Sequence, residues 1–386
     1  METLTSPLFI LTILCLNIVL SEWLVRRTFC KHFGTALLVI LLTAVWANLG
    51  LIPSASNASP LYDVIFGYVA PVGIFFLLLE VNLKNLRQAG LPMLLLFLLG
   101  SLGTVAGVII SMWAVSGRSS LGPLYGALGG MFTGTYIGGS INFNAIALHY
   151  EVTKDGTLYA GAIAVDNILT TLWMIVTIAL PKMFSRNGQE KNPNPAAIPS
   201  SEIESQQEDS EFLSPLSMAL LLGAGMLTLW FSNQAAELFA RAGVTIPSIL
   251  ILTTVALVLA QIPAFNRLKG SRLLGLFSVY LFLAVIGAYC ELAALSHMGA
   301  LGLTLLLFVT LLVLIHGVMI FGVGALFKQD WDMLAIASQA NIGGSTSALA
   351  LAKSLNRRDL YLPAILIGSL GNGIGTYLGF LVIKLI

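Results

Sequence analysis

The sequence predicts an all-α polytopic membrane protein made of two inverted repeats. Each repeat holds five transmembrane helices plus one glycine-broken segment, either re-entrant or discontinuous. Three observations predict this. Hydrophobic residues make up 57% of the 386 and charged residues only 10%, with a mean hydropathy of +0.90, outside the range of soluble globular domains. Ten apolar runs begin near residues 7, 34, 61, 91, 157, 214, 245, 272, 298 and 361, and a bilayer crossing takes roughly 20 such residues. The second half of the chain also repeats the first.

The run starting near residue 7 has no Lys or Arg before it, and Arg26 and Arg27 after it. That is the reverse of a secretory signal and places the N-terminus outside. After the runs at 34, 61 and 91 comes Gly126 to Asn144, reading GALGGMFTGTYIGGSINFN. Gly126, Gly130, Gly134 and Gly138 fall four apart, so on a helix they form one stripe where another backbone can come close. Gly138-Gly139-Ser140 then breaks the pattern, and Ser140, Asn142 and Asn144 set polar groups in apolar sequence. Within lipid, such a break survives only where it is buried in protein or lines a wet cavity. The run 157 to 180 follows and carries Asp166 and Asn167. Residues 182–213, with Pro193, Pro195, Pro199 and several Glu, read as a disordered cytoplasmic linker. Residues 1–181 and 214–386 are the two repeats.

The duplication is visible at matched positions. Ser6-Pro7-Leu8 matches Ser214-Pro215-Leu216, Thr35 to Pro53 matches Thr245 to Pro263, and Glu80 falls on Glu291. The IGGS of Ile137 to Ser140 falls on that of Ile342 to Ser345, and Asn167 on Asn372, at an offset of 205. The second broken segment, Asn341-Ile342-Gly343-Gly344-Ser345-Thr346-Ser347, thus copies the first. If both segments enter and leave on one side, each unit has five crossings and the units are inverted. Fifteen of the nineteen Lys and Arg are then cytoplasmic, leaving Arg118, Lys154, Arg241 and Lys384 outside. Six crossings per unit would give a weaker split, so the positive-inside rule selects inverted units with both termini outside.

Inverted repeats meeting at broken helices are the architecture of secondary transporters, whose half-helix ends point at a midplane site. The candidate substrate-binding residues are Gly138, Gly139, Ser140, Asn142, Asn144, Asn341, Gly343, Gly344, Ser345, Thr346 and Ser347. Hydroxyls, amides and freed backbone groups of this kind hold carboxylates at helix N-termini and sodium at carbonyls. The competing reading is polar packing between helices. Asp166 lies near mid-bilayer, where a carboxylate is costly unless used or paired. With Asn167 and Asn372 it forms the candidate ion-coupling set, for a transported Na+ or H+ and no resident cofactor. Neither tip carries Arg or Lys, which argues against a phosphorylated ligand, and Tyr136 and Phe143 suit an apolar tail.

Other features read as structural. Glu80 and Glu291 sit at helix ends, Glu80 within reach of Lys84 one turn on. His316 is a satisfied core histidine rather than a proton relay. Trp23, Trp113, Trp230 and Trp331 fit an aromatic belt, and Gly371, Gly375 and Gly379 a packing stripe. Cys15, Cys30 and Cys290 are scattered and odd in number, suggesting neither disulfide nor metal. A net charge of +1 without basic clusters excludes nucleic acid. Gly139-Ser140 with His149 or His316 superficially offers an intramembrane protease. There is no HExxH or second Asp motif, however, and the duplicated Ser345 favours symmetric binding over one nucleophile. A non-enzyme is expected, with a monovalent cation/proton antiporter as the alternative.

The segments YIGGSINFNAIA and SQANIGGSTSALALAKSLNRRDLYLPAILIGSLGNGIGTYLGF resemble the membrane-protein family termed domain of unknown function 819, over almost the whole chain. That family resembles the cation/proton antiporters and anion symporters, and the paired GGS tips resemble the re-entrant GGxG loops of sodium-coupled citrate and glutamate carriers. Here Ser140 is followed by Ile141, and Ser345 by Thr346, with no third glycine. The resemblance implies an elevator-type carrier; converging half-helix N-termini favour a small anion, a carboxylate or amino acid, as its solute, and the cell (inner) membrane is the expected location. In such a carrier a core moves against a scaffold, here helices 7 to 52 and 214 to 262, that makes a homodimer.

Overall fold

The computed structural model describes residues 6–27, 34–81, 83, 86–184, 214–266, 268–290 and 298–386, and among these every regular element is helical. The main helices of the first half are α1 (Pro7–Arg27), α2 (Gly34–Asn48), α3 (Pro60–Leu78), α4 (Leu91–Ala114), α5 (Tyr125–Gly138), α6 (Ser140–His149) and α7 (Gly156–Phe184). Those of the second half are α8 (Pro215–Arg241), α9 (Ser248–Ala260), α10 (Ser271–Ala288), α11 (Gly299–Leu326), α12 (Trp331–Ile342), α13 (Gly344–Ser354) and α14 (Tyr361–Leu385).

Eight of these helices are long and apolar enough to cross a membrane, and the protein is multi-pass. The other two apolar runs form α2 and α9, which are shorter. At 1.5 Å per residue, the 15 residues of α2 and 13 of α9 fall short of a hydrocarbon core about 30 Å thick. The sequence shows what stops them. Gly50 at φ +74° follows α2, and the matched Pro53 and Pro263 lie just beyond each helix, where a residue preceding proline leaves the α region. In α3 the turn Ile65–Val69 widens to a π-helix ahead of Pro71, whose missing N–H and bulky ring disturb the preceding turn.

One boundary differs from expectation. α7 continues through Pro181 and Lys182 to Phe184, so the linker does not start at 182. Pro181 lies in that last turn and has no N–H to donate to the carbonyl four residues back. The remainder of the proposed linker, from 185, lies outside the described residues.

The helices sort into two bundles by packing. One comprises α1, α2, α3, α8, α9 and α10, and the other α4 to α7 and α11 to α14. α2 and α3 both pack on α10, and α3 also on α8 and α9. In the second bundle α4 packs on α11, α5 on α14, and α12 on α4 and α7. The bundles meet through α7 against α2 and α10, α6 against α3, and α14 against α9. At Gly156 a side chain would sit 2.5 Å from the Ile286 carbonyl, so α7 meets α10 backbone to backbone there. Across the other contact, Thr254 and Tyr377 share a hydrogen bond of 2.7 Å.

Candidate functional site

The first glycine break sits at Gly139, with φ +90° and ψ −178°, a conformation open to glycine and strained for L side chains. Distortion begins at Tyr136, whose φ −90° and ψ 15° depart from the helix. Its carbonyl accepts from the Thr104 hydroxyl at 3.0 Å, so the break leaves no orphan there. Beyond it the chain returns along α5. A β-carbon on Gly134 would lie 3.0 Å from Asn142 Cβ and 3.1 Å from Ile146 Cδ1. In one continuous helix Ile146 would be about 18 Å further on. The second break falls at Gly343 and Gly344, with Gly344 at φ +75°, and α12 and α13 likewise pack on each other.

Both breaks lean on α14. Gly371 receives Ile137 and Gly138, where a methyl group on either glycine would overlap backbone atoms. One turn earlier, Gly368 receives Ser345; a β-carbon there would sit 2.6 Å from Ser345 Cβ. Three residues of helix rise about 4.5 Å, so the two breaks are neighbours. α5 and α12 are also in contact. Behind the first break the glycine stripes meet. A β-carbon on Gly375 would lie 2.8 Å from the Gly134 carbonyl, and one on Gly379 2.7 Å from that of Gly130. The stripes read from sequence are therefore one seam, closed by absent side chains.

The candidate residues divide by exposure. Asn142 is fully buried, its Oδ1 accepting from the Thr376 amide at 2.9 Å and the Thr376 hydroxyl at 2.6 Å; its Nδ2 has no partner. Asn144 accepts from the Tyr159 hydroxyl. The amide of Asn341 meets the Ser101 hydroxyl at 2.9 Å. With its oxygen toward Ser101, the Asn341 nitrogen donates to the Ala337 carbonyl at 3.1 Å, which satisfies both ends. These three amides bind helix to helix. By contrast Ser140 and Thr346 are exposed, and Gly139, Gly343, Ser345, Ser347 and Asn372 half-buried. The hydroxyls of Ser140, Ser345, Thr346 and Ser347 make no hydrogen bond among the described residues. Neither α6 nor α13 has a side chain capping its N-terminus, so each presents backbone donors and a positive dipole end.

The ion-coupling candidates flank the first break from two sides. Asn372 Oδ1 would lie 3.7 Å from a β-carbon on Gly139. Asp166, on α7, lies beside the Tyr136 hydroxyl and near Tyr159. Its side chain is half-buried overall, but Oδ1 is enclosed and has no hydrogen-bond partner. Asn167 is half-buried and its carbonyl accepts from the Thr171 hydroxyl at 2.7 Å.

His316 is fully buried and bonded at both nitrogens. Nδ1 lies 2.9 Å from the Gly100 carbonyl and 3.0 Å from Thr104 Oγ1, and Nε2 lies 2.9 Å from Ser338 Oγ. A carbonyl only accepts, so Nδ1 carries the proton. Ser338 takes the Trp173 indole N–H at 2.9 Å and can give its own proton to Nε2, leaving the ring neutral and satisfied. Sequence reasoning missed Trp173 and Ser338. A tryptophan in the middle of a span, away from both interfaces, was the available signal that an indole N–H has an interior partner.

Glu80 accepts from Ser271 at the start of α10; Lys84 and Glu291 lie outside the described residues. Trp331 is stacked between Phe184 and Phe321, ring centroids 4.8 and 6.0 Å away. It is a packing residue at the entry to α12, whereas Trp23, Trp113 and Trp230 are exposed as a lipid-facing belt requires. At the same end Arg357 closes the base of α12 and α13. It donates to Asp359 at 2.9 and 2.7 Å, to Asp332 at 3.0 Å and to Asp330. Burial would lower the Arg357 pKa, but the hydrogen bonds to Asp359, Asp330 and Asp332 hold it above the ordinary guanidinium value. A cavity of about 370 Å³ opens between the bundles, lined by Asp63, Phe66, His149, Lys154, Asn233 and Ser248 among others. None of the candidate substrate-binding or ion-coupling residues lines it.

Among the described residues the protein is helical throughout, with eight helices able to cross a membrane, and helix interruptions at Gly139 and at Gly343 and Gly344 rest on one turn of α14. Residues 9–386 match the family model described as Protein of unknown function (DUF819), and the chain belongs to that family. A relative from Bacillus subtilis (strain 168), the uncharacterized membrane protein YjcL, is 29% identical over 368 residues, covering 92% of this chain and 90% of its own.

Proposed function

We propose that the protein is a secondary active transporter of a small organic solute, a carboxylate or amino acid, coupled to sodium or protons through Asp166. The observation that carries this reading is the meeting of both breaks on Gly368 and Gly371 of α14, beside unpartnered hydroxyls and close to an enclosed carboxylate oxygen. Two uncapped helix N-termini favour an anionic group on the solute, and a carboxylate held within the bilayer marks an ion route.

Inverted repeats are part of the proposal. Their support is that packing pairs exchange when the halves are swapped: α5 on α14 with α12 on α7, α2 on α10 with α9 on α3, and α1 on α10 with α8 on α3. A short apolar helix can cross where the bilayer thins locally; with α2 and α9 crossing in this way each half has five crossings, both broken segments are re-entrant, the termini are outside and the linker is cytoplasmic. The bundle of α1 to α3 and α8 to α10 is the scaffold and dimer-forming part of an elevator, a larger set than helices 7 to 52 and 214 to 262. The relation to cation/proton antiporters and anion symporters is proposed on the same grounds.

The test begins with a thermal-shift screen of purified protein against amino acids, carboxylates, peptides and nucleosides, with and without sodium. A ligand at about a hundredfold its Kd adds roughly 2.7 kcal/mol. The hit is then followed into proteoliposomes, where Asp166→Asn is expected to abolish gradient-driven uptake while the protein stays folded. Uptake equal to the parent under every gradient would remove Asp166 from coupling. If no solute binds but sodium or protons exchange, the cation/proton antiporter takes its place.

A further inference from the structure

The Tyr136 hydroxyl belongs neither to the substrate-binding nor to the ion-coupling residues. Its ring is fully buried and held by Phe132, with centroids 5.8 Å apart, and its carbonyl is taken by Thr104. That leaves the hydroxyl. It lies beside the Asp166 carboxyl and Thr170 and interacts with both, but neither Tyr136 Oη nor Asp166 Oδ1 has a partner in good hydrogen-bond geometry, although both are enclosed. Buried oxygens held this far from full hydrogen bonding are costly. Asp166 and Thr170 are four residues apart on α7 and so share its face.

The surroundings supply no competing charge. Among the described residues no Lys, Arg or His pairs with Asp166. The titratable groups facing it are Tyr136 from α5 and Tyr159 from α7 itself. Tyr159 gives its hydroxyl to Asn144. His316, on α11 packed against α7, has both nitrogens bonded elsewhere. What remains is one carboxylate and two hydroxyls, an all-oxygen set.

We propose that Tyr136, Asp166 and Thr170 form a binding site for a small monovalent cation, sodium or a proton, that ties the first glycine break to α7. This rests on the transporter reading and adds two residues and a consequence to it. Tyr136 precedes the Gly138-Gly139 turn on the same distorted stretch of α5. An ion drawing its hydroxyl toward Asp166 therefore acts on the tip that carries Ser140, and ion occupancy sets how open that tip is.

The experiment uses full-length protein with Cys15, Cys30 and Cys290 replaced and Ser140→Cys introduced. The modification rate by a water-soluble maleimide is titrated with sodium chloride against choline chloride, and separately with pH. The parent rate is expected to change severalfold with one of the two ions. Tyr136→Phe and Thr170→Val each remove one oxygen and are expected to weaken the apparent ion affinity about tenfold, and Asp166→Asn to abolish the response. Two variants keep the test alive if one does not fold. If both titrate like the parent while Asp166→Asn does not respond, the three-residue site is overturned and coupling through Asp166 stands. If the parent responds to neither ion, site and coupling fall together. The solute-binding part of the transporter reading is judged separately by the thermal-shift screen.

Discussion

The seam between α5 and α14 and the contact between α12 and α7 occupy matched positions in the two halves, and they are built from opposite materials. At the repeat offset of 205, Gly371 of α14 corresponds to Asp166 of α7, Gly375 to Thr170, and Gly134 of α5 to Gln339 of α12. Where the first contact has glycine on glycine, so close that an added β-carbon would fall 2.0 to 3.0 Å from carbonyl oxygens across the contact, the second has side chains. Trp173 bonds Ser338 and Thr177 bonds Gln339 at 3.2 Å. At the seam the broken segment meets its helix backbone to backbone, with Asn142 and Ile146 packed alongside. Its counterpart is filled with polar side chains, among them Gln339, whose Nε2 is buried without a partner. On the proposed duplication, the presence or absence of a β-carbon decides which copy closes backbone to backbone and which closes through polar side chains.

The sharpest way to break that comparison is to add a methyl group to the seam. Gly138→Ala and Gly371→Ala would each overlap backbone atoms of the other strand of the contact, which no rotamer can relieve. Overpacking costs typically ~1–3 kcal/mol and more when backbone has to move. A loss at or above the top of that range is expected, read as a fall in yield of monodisperse protein and in Tm. Gly223→Ala is the control, since nothing lies within 4 Å of its added carbon. Alanine is favoured over glycine in a helix by about 1 kcal/mol, so that variant is expected to melt at or above the parent. Equal loss in all three would mean the seam is no tighter than an ordinary helix face.

A smaller effect is expected at the base of the second broken segment. Arg357 is 11% exposed at its side chain, while Asp330 and Asp359 are 41% and 39% exposed. Removing one partner of a fully buried pair costs ~3–5 kcal/mol, and solvent screening at the two exposed carboxylates reduces this. Arg357→Gln is therefore expected to cost about 1–3 kcal/mol, measured by thermal unfolding. It should also raise proteolysis between α13 and α14, with cleavage near Asp359 as the marker. The first broken segment has Val152 and Lys154 at the matched positions, so the same treatment should leave the loop before α7 intact. Cleavage at both loops would show that the clamp is not specific to its own segment.

Much of the fold was legible because lipid enforces a simple code. Span positions follow from apolar runs, and the glycine stripes 126 to 138 and 371 to 379 announce a close approach before their partner is known. What could not be read was which stripe faces which. Spacing gives a face of a helix but not its neighbour, so Gly371 appeared as general packing when it is the seat of the first break. The candidate site was half legible for a similar reason. Polar residues at a glycine break were identified, but exposure separates Ser140 and Thr346 from Asn142, Asn144 and Asn341, and that depends on Thr376, Tyr159 and Ser101 from distant parts of the chain. Short α2 and α9 were overestimated because hydropathy continues past the residues where glycine and proline end the helix.

The smallest expected effect tests whether the polar filling of the second contact includes a proton path. Ser338 stands between the Trp173 indole and His316 Nε2, at 2.9 Å from each. In Ser338→Ala the two nitrogens lose a bridging hydroxyl, yet one is a donor and the other an acceptor, so they can meet directly or through a water. A net loss of about 1 kcal/mol in stability is expected. If His316 is a satisfied core group, the pH dependence of gradient-driven uptake stays where it is in the parent. Nδ1–H remains on the Gly100 carbonyl, and Asp166 lies on another network. A shifted pH profile in Ser338→Ala, with Asp166 unchanged, would make His316 a proton carrier. The contact between α12 and α7 would then be part of the ion route, where the neutral, doubly bonded ring argues for packing.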